Sequence, residues 1–135
     1  MELGAVYPQI ELRGDPDAVR TIGQAVEGFG YDHLLAYDHV LGAVHEGRSP
    51  ALGALPEKWG RLQEVLREEG RSLDGFGAEA TIGSREGVED VAARIRRWEA
   101  LGGTHASVIS MGLGLDSAQA HVDHFGRVAA AMGRS

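Results

Sequence analysis

Leu3, Gly4, Ala5, Val6 and Tyr7 form an almost wholly apolar run that ends at Pro8, the pattern of a strand covered on both faces as in a parallel sheet. After a short loop, Asp15 is placed to cap a helix that begins at Pro16. Val19, Ile22, Val26 and Phe29 then recur at helical spacing before Gly30, which predicts an amphipathic helix. Residues 33–37, His-Leu-Leu-Ala-Tyr, follow closely, the short link expected between a helix and the next parallel strand. Residues 40–54 hold three Gly and one Pro without a helical or strand period and read as a long loop.

Pro56 opens a second helix with Trp59, Leu62, Val65 and Leu66 as its apolar stripe, a Glu57 and Arg61 pair on its surface, and Gly70 at its end. Residues 77–82 read as a third strand, interrupted by Glu79, which either faces a barrel lumen or marks a partly exposed strand. Ser84 is a candidate cap for a third helix with Val88, Val91, Ile95 and Trp98 as its stripe and Asp90 paired with Arg94. Residues 104–110 form a fourth, β-branched strand. A glycine loop, Met111-Gly112-Leu113-Gly114-Leu115, leads to a last helix capped by Asp116 or Ser117. Strands that alternate with helices define an α/β protein with four parallel strands joined by right-handed crossovers.

Composition narrows the chemistry. The 135 residues fit one domain, and the absence of Cys excludes a disulfide framework, a Cys-ligated zinc and a thiol nucleophile. With 20 acidic against 13 basic residues the net charge is −7, and the scattered basic residues lack the footprint of a nucleic-acid binder. No basic leader with an apolar stretch opens the chain, and no run approaches the roughly 18 apolar residues of a membrane span. A cytoplasmic protein without nucleic-acid or membrane partners is the expectation.

Ligands of parallel α/β folds sit at the carboxyl ends of strands. The second strand ends in Tyr37-Asp38-His39, which is either a proton-transfer His held by a carboxylate neighbour or a plain strand terminus. The fourth ends in Gly112-Leu113-Gly114 before a helix N-terminus, either an anion-holding turn or a simple connection. It lacks both the third Gly of the dinucleotide fingerprint and the Lys of a P-loop. His121 and His124, three apart with Asp123 between them, read as a solvated helix face, and no metal site is expected. His33 and His105, near strand starts, read as packing or surface residues.

Several of these segments together resemble a known family. Gly4-Ala5-Val6-Tyr7-Pro8-Gln9, Gly14-Asp15-Pro16, Gly30-Tyr31-Asp32-His33-Leu34 and Tyr37-Asp38-His39-Val40-Leu41-Gly42 look like the N-terminus of the luciferase-like monooxygenases, in the branch that uses a deazaflavin coenzyme. Arg67-Glu68-Glu69-Gly70-Arg71, Arg97-Trp98-Glu99-Ala100-Leu101-Gly102, Thr104-His105 and the glycine loop look like the end of the same family. Residues 1–50 and 55–135 would thus make one luciferase-like domain without the central part of the barrel.

The resemblance implies a flavin- or deazaflavin-dependent oxidoreductase, with FMN or a 5-deazaflavin coenzyme of the F-420 type as cofactor and a small organic molecule as substrate. It implies His39 as the proton-transfer residue, Asp38 as its rim partner, and Gly112, Gly114 and Tyr37 at the cofactor. Because such barrels take about 250 residues, it also implies a partial, TIM-barrel-like (βα)4 half-barrel holding barrel strands one, two, seven and eight. If each strand lies beside its predecessor, strands one and four are open edges and two copies close a barrel as a homodimer. The alternative order is 3-4-1-2 in a monomer. The rival to an enzyme is a non-catalytic half-barrel remnant or assembly module, and a small-anion or nucleotide binder using the glycine loop is a third reading.

Overall fold

The computed structural model describes residues 1–37, 55–72 and 74–134. Its elements are β1 (Glu2–Val6), α1 (Gln9–Leu12), α2 (Pro16–Gly28), β2 (His33–Leu35), α3 (Leu55–Glu68), β3 (Glu79–Ile82), α4 (Val88–Ala100), β4 (His105–Val108) and α5 (Ala118–Ala131). The four strands form one all-parallel, open sheet in the order β2-β1-β4-β3. The α/β class and the four parallel strands follow the expectation, and the architecture is compatible with a partial (βα)4 half-barrel.

The neighbour relations differ from the sequential arrangement. Ala5 of β1 pairs with Leu34 on one side and Val108 on the other, so β1 and β4 are central while β2 and β3 are the edges. The alternative order, 3-4-1-2, is the one found. Two copies therefore cannot join through free β1 and β4 edges, because those strands already pair within one chain. The cause is non-local: Glu2 N–H donates to Thr104 O at 3.0 Å and Tyr7 N–H to Leu35 O at 2.8 Å, tying β1 to both neighbours beyond the reach of any local rule.

The chain divides into two compact units, residues 1–38 with 78–135, and residues 39–77. In the first, α5 packs against both α2 and α4, α4 contacts β3 and β4, and α2 contacts β2. Leu3, Ala5, Ala80, Ile82, Ala106 and Val108 alternate toward one face of the sheet, and all are buried. With Ile22, Val26, Val91, Ile95, Trp98, Phe125 and Val128 they make the core. Tyr31 crosses from α2 to α5, its hydroxyl donating to Phe125 O at 3.0 Å and its ring meeting Phe125 edge-on; burial drives its pKa far upward. In the second unit, the α3 residue Trp59 stacks on Phe76 at 6.4 Å, and Arg61 turns to Glu64 and Glu68 instead of Glu57.

The capping pattern is partly as expected. Asp15 accepts from Asp17 N–H at the start of α2, and Ser117 accepts from Ala120 N–H at the start of α5. Ser84 does not cap α4. Its Oγ accepts from Glu86 N–H, and the N-cap is Gly87, which supplies no side chain. The short α1, directly after Pro8, falls where a loop is expected, because one turn carries no apolar period. Residues 40–54, expected to be a loop, lie outside the described residues.

Candidate functional site

The carboxyl ends of β3 and β4 open into a cleft of about 550 Å³. Its walls come from the β3–α4 loop, the β4–α5 loop and the exposed end of one α5 face. Gly112 and Gly114 turn the second loop with φ of 74° and 75°, left-handed values that glycine adopts without strain. Arg85 reaches across from the first loop: a Cβ on Gly112 would stand 4.0 Å from its Nη2. His124 and Arg127, three residues apart on α5, complete the lining, which holds no carboxylate.

The cleft's lining carries two cations. Among the described residues, neither Arg85 nor Arg127 has an ion-pair partner. His124 is only 4% exposed and its Nε2 has no hydrogen-bond partner. Burial, with Arg127 and His121 nearby, pushes its pKa down, which keeps the ring neutral at neutral pH. The N-cap of α4, Gly87, offers no side chain to the leading N–H groups, and Glu89 and Asp90 lie in the same first turn.

His121 sits one turn before His124 and is fully buried, its Nδ1 within 2.9 Å of Ser110 Oγ. Burial lowers its pKa, while the Glu11 carboxylate opposes the shift. Glu11 also accepts Gly112 N–H at 2.9 Å, linking α1 to the glycine loop. The pair His121 and His124 is thus not the solvated helix face expected. Because α5 packs against two other helices, positions that look polar by type fall on its inner side.

A second polar group spans the opposite, N-terminal half of the strands. His33 Nε2 lies 3.0 Å from Ser107 Oγ and 3.1 Å from Glu79 Oε1, and Ser107 Oγ donates to the same carboxylate. They meet because Gly4, on the strand between β2 and β4, has no side chain: a Cβ there would come within 2.2 Å of His33 Nε2 and 2.4 Å of Ser107 Oγ. The Ser107 hydrogen bond, reinforced by His33 against the cost of burial, holds the Glu79 carboxyl below its usual range. Beside it, His105 Nε2 pairs with Glu2 at 3.0 Å. Glu79 therefore matches the second of the two readings given for it, a partly exposed strand, and its carboxylate is hydrogen-bonded across the sheet.

Of the residues singled out in the sequence, Gly112 and Gly114 line the cleft, whereas Tyr37 does not. Tyr37 is pinned to α1 through its backbone, with its N–H donating to Gln9 Oε1 and its carbonyl accepting from Gln9 Nε2. Asp38 and His39 lie outside the described residues. Arg85, His124 and Arg127 were not predicted; the signal available was the i,i+3 spacing of His124 and Arg127 on the helix that follows the glycine loop. Among the described residues no three His, Asp or Glu are grouped to hold a metal ion, and no helix is long and apolar enough to cross a membrane.

Comparisons with protein-family models, curated proteins and solved structures return no match to the chain.

Proposed function

We propose that the chain is a flavin- or deazaflavin-dependent oxidoreductase of luciferase-like type that binds FMN or a 5-deazaflavin coenzyme at the carboxyl ends of its strands. The observation that carries this reading is the cleft at the ends of β3 and β4, where parallel α/β proteins hold ligands, lined by two arginines and a glycine loop. The strand order adds support. In a closed eight-stranded barrel the first two and last two strands run 2-1-8-7, and β2-β1-β4-β3 is that order with the middle strands removed.

The anionic end of such a cofactor fits the cationic lining. When bound, the group supplies hydride or oxygen chemistry toward a small organic substrate. In this reading the chain orients it through the rim loops, including Gly112 and Gly114, and His39 moves a proton with Asp38 as its rim partner, while Tyr37, which does not line the cleft, stands away from the phosphate end. Titration of FMN and of the deazaflavin coenzyme, followed by absorbance and fluorescence, tests it. Saturable binding that Gly114→Val abolishes is expected, together with turnover that His39→Ala removes. A folded protein indifferent to both cofactors overturns it.

The open edges at β2 and β3 favour a second reading, a half-barrel module that has kept its packing without a complete site. If two copies close one barrel as a homodimer, β2 of one meets β3 of the other. Light scattering at micromolar concentration separates dimer from monomer.

A further inference from the structure

We propose that the cleft between the β3–α4 and β4–α5 loops is a subsite for a dianionic phosphate monoester, held by Arg85, Arg127 and His124. The inference rests on the reading of this cleft as the ligand site and assigns which end of the ligand it takes. Three observations converge. Two guanidinium groups face one cleft without a carboxylate in its lining and without ion-pair partners among the described residues. Guanidinium donors match phosphate oxygens in geometry as well as charge. The third is a buried polar atom, His124 Nε2, that no protein group satisfies, although buried polar atoms are almost always paired. An acceptor oxygen in the cleft would complete it.

The backbone reinforces the site. Gly87 begins α4 with φ 113° and ψ −179° and offers no capping side chain, so a leading N–H group can turn to an anion in the cleft, although Glu89 and Asp90 in the same turn already complement the helix dipole. Gly112 N–H is not among the donors, since Glu11 already accepts it. Placement also agrees with general barrel architecture, in which phosphate groups are held by the loops after the last two strands, the positions β3 and β4 take if the half-barrel reading holds.

The test is amide NMR of the full chain at constant ionic strength, titrated separately with inorganic phosphate, riboflavin and FMN. Phosphate is expected to shift the Arg85, Gly87, Val88 and Gly114 amides saturably. Arg85→Gln and Arg127→Gln, both on exposed side chains, should each weaken it by about tenfold or more, with unchanged circular dichroism. His124→Gln, which retains a donor, should weaken it less than His124→Phe. Phosphate that leaves those amides unmoved at millimolar concentration, or binding that survives both arginine variants, overturns the subsite. FMN and riboflavin binding equally well would also overturn it while leaving the cofactor reading intact. Phosphate binding at the cleft with FMN no tighter than phosphate would sustain the subsite and remove the cofactor reading.

Discussion

Gly4→Ala separates a structural requirement from a chance glycine by the sign of its effect. In a strand interior, replacing Gly by Ala ordinarily stabilises by about 0.5–1 kcal/mol, because less backbone entropy is lost on folding. Here the added methyl would stand 2.2 Å from His33 Nε2 and 2.4 Å from Ser107 Oγ, distances no real contact sustains. His33 is the group that can yield, since its side chain is 29% exposed. Moving it breaks the 3.0 Å contact with Ser107 and the 3.1 Å contact with Glu79. The one hydrogen bond that Nε2 shares between Ser107 and Glu79 is lost and, because Ser107 Oγ must also shift, so is its own bond to Glu79, roughly 0.5–1.5 kcal/mol each, with the ion-pair part discounted because both partners are partly exposed. Set against the strand gain, the net effect is a destabilisation of about 0.5–2 kcal/mol.

For a chain of this size that is a fall in Tm of roughly 2–8 °C, measurable by circular dichroism at pH 7. The same substitution in a His33→Ala, Ser107→Ala background should be neutral or stabilising, because both side chains it would meet are gone, giving a coupling of about 1 kcal/mol between Gly4 and that pair. A Gly4→Ala protein as stable as the parent, or more so, refutes the idea that the bare position on β1 exists to let β2 and β4 side chains meet.

Gly103→Ala should cost more, about 2–4 kcal/mol, since its methyl would fall 2.2 Å from Trp98 Nε1, on a ring 3% exposed and hydrogen-bonded to His105 O; a Tm within 3 °C of the parent would contradict it. Arg134→Met removes bonds to Gly30 O, Met1 O and the Asp32 carboxylate and should lose about 1–2 kcal/mol after allowance for exposure, read as a lower urea midpoint that the Asp32→Asn variant largely shares. Acid should destabilise the fold: the unfolded chain protonates His121 and His124 near pH 6.5 whereas burial lowers both pKa values in the folded state. The unfolded state thus binds more protons as pH falls below about 6.5, stability declines there, and the lowered Glu79 carboxyl extends the loss below its ordinary range near 4.5. A Tm that is flat or rising from pH 7 to pH 5.5 would refute this.

The element order was legible because each signal is local: Asp15 and Pro16 start α2, Ser117 starts α5, and β-branched or apolar runs mark the strands. Strand order was not, because adjacency is decided by pairs such as Leu3 with Ala106, far apart in the chain. The glycine loop of the candidate site was visible as Gly112 and Gly114. Its cations were not, since Arg85 and Arg127 acquire a role only when β3 and β4 lie side by side. His121 and His124 were misjudged for a related reason. Residue type and spacing describe one helix, whereas burial on α5 is set by α2 and α4 on either side of it.

The two ends of the strands differ in how their charged groups are partnered. At the N-terminal end four pairs are found among the described residues: His33 with Glu79, His105 with Glu2, Asp32 with Arg134, and the chain's amino group with Glu99. At the carboxyl end the pattern inverts, with two unpaired arginines and an unsatisfied histidine around one cleft. Composition argues against such a cluster, since the chain carries 20 acidic residues against 13 basic and a net charge of −7. Glu11, the carboxylate hydrogen-bonded to the glycine loop, is engaged with Gly112 N–H and does not line the cleft. Glu86, Glu89, Asp90 and Asp116 lie in or beside the same loops, yet the cleft is lined by Arg85 and Arg127 without a carboxylate, and two cations lining one cleft with no acid among them are the feature that a bound anion explains and that packing does not.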